Sequence, residues 1–290
     1  MKLFLKNMGK NRRRHLARST IFFIMLICLL NNNGCAPTYP KERLAKSLEG
    51  VCKKEYNVDV QAKVIGKTIV VFIPLQELFD EKLDILADAV EKIENVILTT
   101  SRVLFSTDAK VDFYMIIAAD IKTTSAELVL VRYMDDVYKF MHGWINRDDY
   151  RQRVLWRVNF NPKLLQEPKF DFEVKEMILP GFLAEQIAQR LNVIFESSVV
   201  YKIKVKGDYD TQKKQFNFSL IVPVPSRFEK IYMPIILNQA DKIILEYKFN
   251  DYVEVAVQNQ LLRNRVVLAK EKLIEYRNVN IDNLLTLPAY

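Results

Sequence analysis

The succession of helical and strand-like patterns predicts an α+β fold with two similar αββαββ lobes and mainly antiparallel sheets. The order helix, strand, strand, helix, strand, strand begins after residue 41 and recurs after residue 175. A short motif that starts with lysine and ends with glycine closes the first predicted strand of each half, at 63–66 and 204–207. The chain is long enough to bury a large core in one or two domains.

Apolar residues at helical spacing predict helices over 41–56, 78–105, 180–197 and 233–247. The second of these is the longest helix that the sequence supports. Each predicted helix precedes a pair of strand-like runs, which gives both halves the same order of elements. Any chain that alternates helices and strands can produce such a match by chance, so duplication and coincidence both stay open.

Alternating apolar residues and turn signals predict two strands after each helix. The predicted strands cover residues 58–65, 68–73, 111–119, 126–133, 199–206, 216–222, 252–257 and 265–269. In the first strand, Val64 is expected to point inward, and Gly66 and Lys67 form the turn into the second strand. Pro74 and Pro223 are expected to end the second strand of their halves, because proline cannot donate a ladder hydrogen bond.

The N-terminal residues carry the pattern of an export signal. The first twenty contain seven Lys or Arg and no acid, and 21–30 is an apolar run too short to span a bilayer. The stretch Asn31-Asn32-Asn33-Gly34-Cys35 follows and resembles the lipobox of bacterial lipoproteins, with Asn32 where that family has an apolar residue. The resemblance implies cleavage before Cys35 and a diacylglyceryl group on its sulfur. An uncleaved N-terminal anchor is the alternative.

The resemblance divides the chain into five segments. They are a signal peptide (1–34), a lipidated tether (35–41), a first α+β lobe (42–140), an aromatic-rich connector (141–175) and a second α+β lobe (176–290). In Gram-negative lipoproteins, a residue other than Asp after the cysteine favours the outer membrane. Ala36 therefore implies an exported protein anchored there, facing the periplasm, if the cell is Gram-negative.

Charge and cysteine content restrict the classes of function. The full chain has a formal charge of +8, but after residue 34 it holds 36 basic and 35 acidic side chains. A nucleic-acid partner is therefore not expected. Cys28 leaves with the signal and Cys35 would be acylated, so Cys52 has no disulfide partner within the mature chain. We expect Cys52 to be buried as a small apolar side chain.

The connector contains both tryptophans of the chain, Trp144 and Trp156, among several other aromatic residues. Large rings dominate burial in cores and in interfaces alike. One interpretation is that the connector packs between the two lobes. The other is that Trp144 and Trp156 belong to a partner-binding patch or to the floor of a groove between the lobes.

No motif in the sequence predicts catalysis. Tyr133-Met134-Asp135-Asp136 resembles the metal-binding tetrapeptide of reverse transcriptases, but a nearly neutral exported domain of this size does not fit that chemistry. We expect Asp135 or Asp136 to cap a helix instead. Asp148 and Asp149 lie among arginines and indicate a solvated helix start.

Other catalytic signals are also missing from the sequence. His142 is the sole histidine after the signal, and the five mature glycines do not cluster. We therefore expect no catalytic, cofactor-binding or metal-binding residues, and the sequence favours a non-catalytic role without deciding against an enzyme.

The sequence thus predicts a membrane-anchored envelope lipoprotein with a structural or protein-binding role. Its partners would be the lipid bilayer, through acylated Cys35, and envelope proteins. Two other functions stay open. One is a lipoprotein that binds a ligand or peptide in a groove between its lobes, and the other is an envelope hydrolase with scattered active-site residues.

Overall fold

The computed structural model describes residues 38–82, 84–122, 125–161, 174–196, 203–222 and 227–285. These residues form the α+β fold that the sequence predicts, with helices packed on two mixed sheets. The predicted signal peptide and Cys35 lie outside the described residues. In the described part of the chain, no helix has the length and apolar character that a bilayer-spanning segment needs.

The first unit contains a five-stranded sheet in the order β1-β2-β3-β4-β5. Strands β2 and β3 are parallel, and every other neighbouring pair is antiparallel. The elements are α1 (Leu44–Tyr56), β1 (Gln61–Ile65), β2 (Thr68–Leu75), α2 (Ala87–Phe105), β3 (Phe113–Asp120), β4 (Ala126–Tyr133), α3 (Met134–Met141), α4 (Arg147–Gln152) and β5 (Leu155–Phe160). A short 3₁₀ turn, Lys41–Arg43, leads into α1.

The second unit contains a four-stranded sheet in the order β6-β7-β8-β9, in which β7 and β8 are parallel. Its elements are α5 (Leu179–Glu196), β6 (Lys206–Asp210), β7 (Gln215–Leu220), α6 (Met233–Glu246), β8 (Glu254–Asn259) and β9 (Asn264–Ala269). A π-helical turn, Phe228–Tyr232, precedes α6. The chain continues through the 3₁₀ segment Lys270–Tyr276 to the short helix α7 (Ile281–Leu285).

Both units share the order αββαββ and the same pattern of strand pairing. In each unit an antiparallel hairpin is followed by a helical crossover, a parallel neighbour and a second hairpin. The helical crossover carries the chain back to the end of the sheet where the preceding strand began, so the next strand runs parallel. For this reason the sheets are mixed and not purely antiparallel, and β5 extends the first sheet alone.

The two units stack in four layers. Alternate residues of β2 and β3, such as Val71 and Tyr114, face α1 and α2 on one side of the first sheet. The intervening residues, such as Phe72 and Met115, belong to a second core that contains α5, α6 and the inner face of the second sheet. The order is therefore α1/α2, first sheet, α5/α6, second sheet. Both faces of the first sheet are covered, which explains the continuous apolar runs of β2 and β3.

The long predicted helix 78–105 begins nine residues late, at Ala87. Before it, the Asp80 carboxylate accepts hydrogen bonds from the backbone N–H groups of Lys82 (2.8 Å) and Asp84 (2.9 Å). Such local side-chain bonds compete with helix formation. The helical spacing of the apolar residues up to Leu86 was therefore misleading.

Three strand predictions were wrong in detail. Pro74 does not end β2 but pairs with Ala119 on β3. Strand β1 does not extend to this level, so no residue of β1 requires an N–H from position 74. Val64 is exposed because β1 is an edge strand. Of the strand predicted over 199–206, the described residues 203–205 are not in a strand, and β6 starts at Lys206, whereas 199–202 lie outside the described residues. The turn between β6 and β7 is two residues longer than the turn between β1 and β2. Pro223 lies outside the described residues.

A buried polar network joins the two units. The Asp136 carboxylate on α3 accepts hydrogen bonds from Arg153 Nη1 (2.7 Å) and from the hydroxyl of Tyr247 (2.5 Å). Arg153 also pairs with Glu246, and Gln186 Nε2 donates to the Tyr247 oxygen at 3.1 Å. Burial, and then the Asp136 carboxylate, raises the pKa of Tyr247 above its ordinary value, so the hydroxyl stays protonated and donates.

The prediction that Asp135 or Asp136 caps a helix was wrong. Tyr133 occupies the N-cap position of α3, and no side-chain hydrogen bond caps that end. Asp136 is buried in the network described above, whereas Asp135 forms an exposed ion pair with Lys139 at 2.6 Å. The adjacent acids therefore have different roles, because the helix turns one toward the second unit and the other toward solvent.

A substitution at Gly207 tests the close contact between α5 and β6. A Cβ at this position would lie 2.1 Å from the carbonyl oxygen of Ala184, a backbone atom that cannot easily move. We expect Gly207→Ala to lower the free energy of unfolding by about 1–3 kcal/mol in urea denaturation, through overpacking. Gly50→Ala on α1 is the matched control, because no atom lies within 4 Å of its Cβ. It should raise stability by about 0.5–1 kcal/mol. Equal effects of the two substitutions on stability would contradict the close contact between α5 and β6.

Asp136→Ala tests the buried network. The substitution removes the buried carboxylate that pairs with the Arg153 guanidinium. We expect it to lower the free energy of unfolding by about 3–5 kcal/mol. Asp135→Ala, one residue away, removes an exposed ion pair and should cost about 0.5 kcal/mol or less. The two variants are compared by urea denaturation. A cost for Asp136→Ala as small as that of the control would show that the network does not hold the units together.

Candidate functional site

The most unusual surface of the protein is the edge strand β5. It pairs with β4 through six residues, from Leu155 opposite Val131 to Phe160 opposite Ala126. Leu155 is buried, but the other five residues are exposed. Edge strands usually carry charges, prolines or bulges that prevent pairing with another chain. In β5 the exposed positions include three large apolar side chains.

These three side chains form a row on one face of β5. Trp156, Val158 and Phe160 are 57%, 42% and 68% exposed. Because side chains alternate along a strand, they share the face opposite to Leu155. Val158 pairs with Leu128 on β4, which is buried in the core beneath α2. The face that carries the three side chains is therefore continuous with the face of the sheet that packs on α2. We call Trp156, Val158 and Phe160 the edge row.

A glutamine on α5 pairs with the start of the β5 edge. Gln189 Oε1 accepts a hydrogen bond from the backbone N–H of Trp156 (3.0 Å), and Gln189 Nε2 donates to the carbonyl of Val154 (2.9 Å). A carboxamide offers one acceptor and donors, as a peptide group does. The Gln189 side chain therefore occupies the place of a next strand at this level of β5.

Among the described residues, none pairs with the rest of the outer edge of β5. Asn161 N–H donates to Ser125 on the β4 side, and successive residues of an antiparallel strand point to alternate sides. Val158 and Phe160 therefore direct their N–H and C=O groups away from β4, as Trp156 does. Within the described ranges these outward groups have no hydrogen-bond partner.

A second amide on α5 holds the other sheet. Asn192 Oδ1 accepts from the N–H of Val205 at 2.7 Å, and its Nδ2 donates to the carbonyl of Val205 at 3.1 Å. Val205 precedes β6, which is the edge strand of the second sheet. Gln189 and Asn192 are three residues apart on one helical face, so α5 fixes the edges of both sheets.

A groove of about 650 Å³ lies between these two edges, over α5. Its lining includes Trp156 and Arg157 from β5, Gln189 and Asn192 from α5, and the segment from Lys204 to Gly207. Arg157 Nη1 forms an ion pair with Glu185 at 2.7 Å. The two amides and this ion pair are thus engaged within the protein. The groove has the volume of a small-ligand site, but these polar groups are already bonded.

Trp144 lies on a different element from Trp156, in the turn after α3. The N–H of Trp144 donates to the carbonyl of Lys139 (2.8 Å), and that of Gly143 donates to Phe140 (3.0 Å). With Gly143 at φ +69°, these bonds form a Schellman motif at the end of the helix. The indole packs edge-on against Tyr138, with ring centroids 5.5 Å apart. Trp144 is therefore held in place while its side chain stays largely exposed.

The remaining candidate residues do not converge on a reaction centre. Asp148 and Asp149 lie in the first turn of α4, where Asn146 caps the helix by accepting from Asp149 N–H, and both remain exposed as predicted. Cys52 is fully buried, which confirms its predicted role, and burial raises the pKa of its thiol to about 11. The His142 ring packs at a tilt against that of Tyr138, with ring centroids 4.2 Å apart. Among the described residues, no group of three His, Cys, Asp or Glu side chains could hold a metal ion.

Sequence reasoning selected Trp156 but missed the strand that carries it. The signal was present, because Trp156, Val158 and Phe160 alternate with polar residues and all favour strands. The high aromatic content of the connector obscured this alternation. Gln189 carries no sequence signal, since its role depends on where α5 packs.

Comparison with known proteins adds no identification. No family model matches the chain, and no significant similarity to a curated protein or to a solved structure was found. A function must therefore be inferred from the structure itself, in particular from β5, Gln189 and the edge row.

Proposed function

We propose that this chain is a membrane-anchored envelope lipoprotein whose folded domain binds a partner protein along β5. The observation that carries this proposal is the outer edge of β5, bordered by the edge row, where Val158 and Phe160 have no backbone partner among the described residues. The partner would contribute an extended segment that adds a sixth strand to the first sheet. In this mode, backbone hydrogen bonds give affinity and alternate side chains give specificity.

The chemistry of β5 defines what the partner segment should look like. Val158 and Phe160 offer backbone donors and acceptors to one neighbouring strand. The edge row offers apolar surface on a single face, which favours a partner segment with apolar residues at every second position. Gln189 already pairs with the level of Trp156, so the added strand would start beyond it.

The other edge of the same sheet is less suited to a partner strand. On β1, the N–H of Ala62 is already bonded to the Glu49 carboxylate at 2.8 Å. Lys63 follows on this five-residue strand, and short length and lysine are common protections of an edge. Val64 is exposed there without apolar neighbours of the kind found on β5. The two edges therefore provide a comparison within one molecule.

The membrane anchor rests on the N-terminal residues. The basic start, the short apolar run and Cys35 after Gly34 support export and acylation. Only Ala36 and Pro37 separate Cys35 from Thr38, where the described chain begins. The domain would thus stay close to the bilayer, and with Ala36 after the cysteine it would face the periplasm from the outer membrane of a Gram-negative cell.

Binding of a ligand or peptide in the groove beside Trp156 is the second candidate function. The volume of the groove favours it. It ranks below strand addition because Gln189, Asn192 and Arg157 already have partners, whereas the outer groups of Val158 and Phe160 have none among the described residues.

Val158→Pro tests strand addition. Proline removes the outward N–H of residue 158 and leaves the β4–β5 hydrogen bonds intact, since that N–H does not face β4. A photoreactive amino acid at Asn159 should crosslink the wild-type protein to a partner in intact cells. We expect the crosslinked product to disappear in the Val158→Pro variant, while the urea denaturation midpoint stays close to that of the wild type.

The matched control is Val64→Pro on the opposite edge. Val64 is 40% exposed against 42% for Val158, and its N–H also points away from its sheet, in line with that of Ala62. This variant should retain the crosslinked product. Absence of any product in the wild type, or equal loss in both proline variants, would contradict binding along β5.

The mass of the N-terminal peptide tests the anchor. Membrane-extracted protein should begin at Cys35 and carry a diacylglyceryl group, because the lipobox-like stretch directs lipidation there. A Cys35→Ser variant should lack this mass and keep its signal residues. An unlipidated wild-type chain that retains Met1 would reject the lipoprotein assignment and leave binding along β5 to be judged by the crosslinking experiment.

A further inference from the structure

A second exposed apolar surface lies at the end of α3. It is separate from the edge row and consists of side chains from α2, α3 and the following turn. Its members, which we call the aromatic patch, are Phe105, Tyr138, Met141, His142 and Trp144. Tyr138 links them, with its ring centroid 6.4 Å from that of Phe105 and 4.2 Å from that of His142.

The patch is unusually exposed for such large side chains. Met141 is 65% and Trp144 is 67% exposed. Large contiguous apolar patches on the surface of soluble proteins often mark contacts with a partner or a membrane. The Schellman motif fixes the Trp144 backbone, so the exposed position of this indole is a property of the fold and not of a loose loop.

The chain enters the domain beside this patch. The N–H of Tyr39 donates to the carbonyl of Ser106, next to Phe105, at 3.2 Å, and Tyr39 forms a parallel bridge with Thr107. The N–H of Lys41 donates to the Asp108 carboxylate at 2.8 Å. These contacts pin the first described residues to the end of α2. The membrane-proximal side of the domain is therefore the side that carries the aromatic patch.

The length of the tether limits the distance to the bilayer. Cys35 precedes Tyr39 by four residues. Four residues of extended chain span at most roughly 14 Å. Amphipathic surfaces bind membranes by sinking about 5–10 Å into the boundary between headgroups and acyl chains. Because the tether is short and begins beside the aromatic patch, it brings the patch within reach of the bilayer.

We infer that the aromatic patch lies in the headgroup region of the bilayer, beside the lipid on Cys35, and sets the orientation of the domain on the membrane. This inference rests on the proposed lipid anchor. Trp and Tyr favour the membrane interface because they combine an apolar ring with a polar group that stays hydrated. None of the five patch residues is acidic, so the patch itself adds no negative charge facing the lipid headgroups.

Brominated lipids test the position of the patch directly. Two single-tryptophan proteins are made at full length, Trp156→Phe, which keeps Trp144, and Trp144→Phe, which keeps Trp156. Each is reconstituted into vesicles of equal parts phosphatidylethanolamine and phosphatidylglycerol, with and without brominated acyl chains. We expect Trp144 emission to shift to the blue in both vesicles and to be quenched by the brominated chains. Trp156, on the same tether, should show neither change.

The outcomes separate this inference from the lipid anchor. The N-terminal peptide mass is measured on the same preparations. A lipidated protein whose Trp144 emission is not quenched would overturn the patch inference, leave the anchor standing and point to a protein as the occupant of the patch. Quenching of both tryptophans to the same degree would also overturn it, because no preferred orientation would remain. Quenching of Trp144 alone without lipid on Cys35 would support the patch and reject the acyl anchor.

A double variant, Phe105→Ser with Met141→Ser, provides the second test in the protein that keeps Trp144. Both changed residues are exposed, so the fold should be retained, as urea denaturation would verify. Loss of the blue shift and of the quenching is expected, since the patch no longer offers enough apolar surface. Unchanged quenching would show that the tether alone brings Trp144 to the bilayer, which contradicts a binding role for the patch.

Discussion

Helix α5 is the element on which the rest of the structure depends, because it is packed between the two sheets. Phe182, Leu183 and Ile187 are fully buried in the core that the second unit shares with one face of the first sheet. The same helix touches β6 so closely that only glycine fits at position 207. Its amides at Gln189 and Asn192 replace the missing neighbours of two edge strands. Hydrophobic burial thus stacks the units, and two hydrogen-bonding side chains define where each sheet stops.

The buried network around Asp136 adds direction to this apolar contact. Hydrophobic surfaces can slide, because their attraction depends on area and not on angle. Asp136, Arg153 and Tyr247 accept and donate hydrogen bonds in fixed directions, and each would be costly to leave unpaired. The network therefore selects one register between the units. Since Arg153 lies between α4 and β5, this register also fixes the start of the exposed edge.

Much of the topology follows from periodicity, but the layering does not. Residues such as Phe216 and Phe218 alternate with polar neighbours, so their strand is readable from the sequence. The continuous apolar runs of β2 and β3 carried a further signal, since a strand buried on both faces loses its alternation. That signal would have placed the first sheet inside the molecule. Contacts such as Gln189 with Val154 depend on how distant elements meet, and no local pattern encodes them.

The two exposed apolar surfaces differ in how they are held, and this difference suggests different occupants. On β5 the outward backbone groups of Val158 and Phe160 have no partner among the described residues. Only a group with strand-like hydrogen-bond geometry can satisfy them, which a lipid surface cannot supply. At Trp144 the Schellman motif satisfies the backbone, and only side-chain surface is left exposed. A bilayer interface, which is broad and adaptable, can cover such a surface without matching its shape. The directional groups on the edge of β5 therefore support the proposal of a polypeptide partner, whereas the side-chain surface of the aromatic patch supports the proposal of a membrane contact.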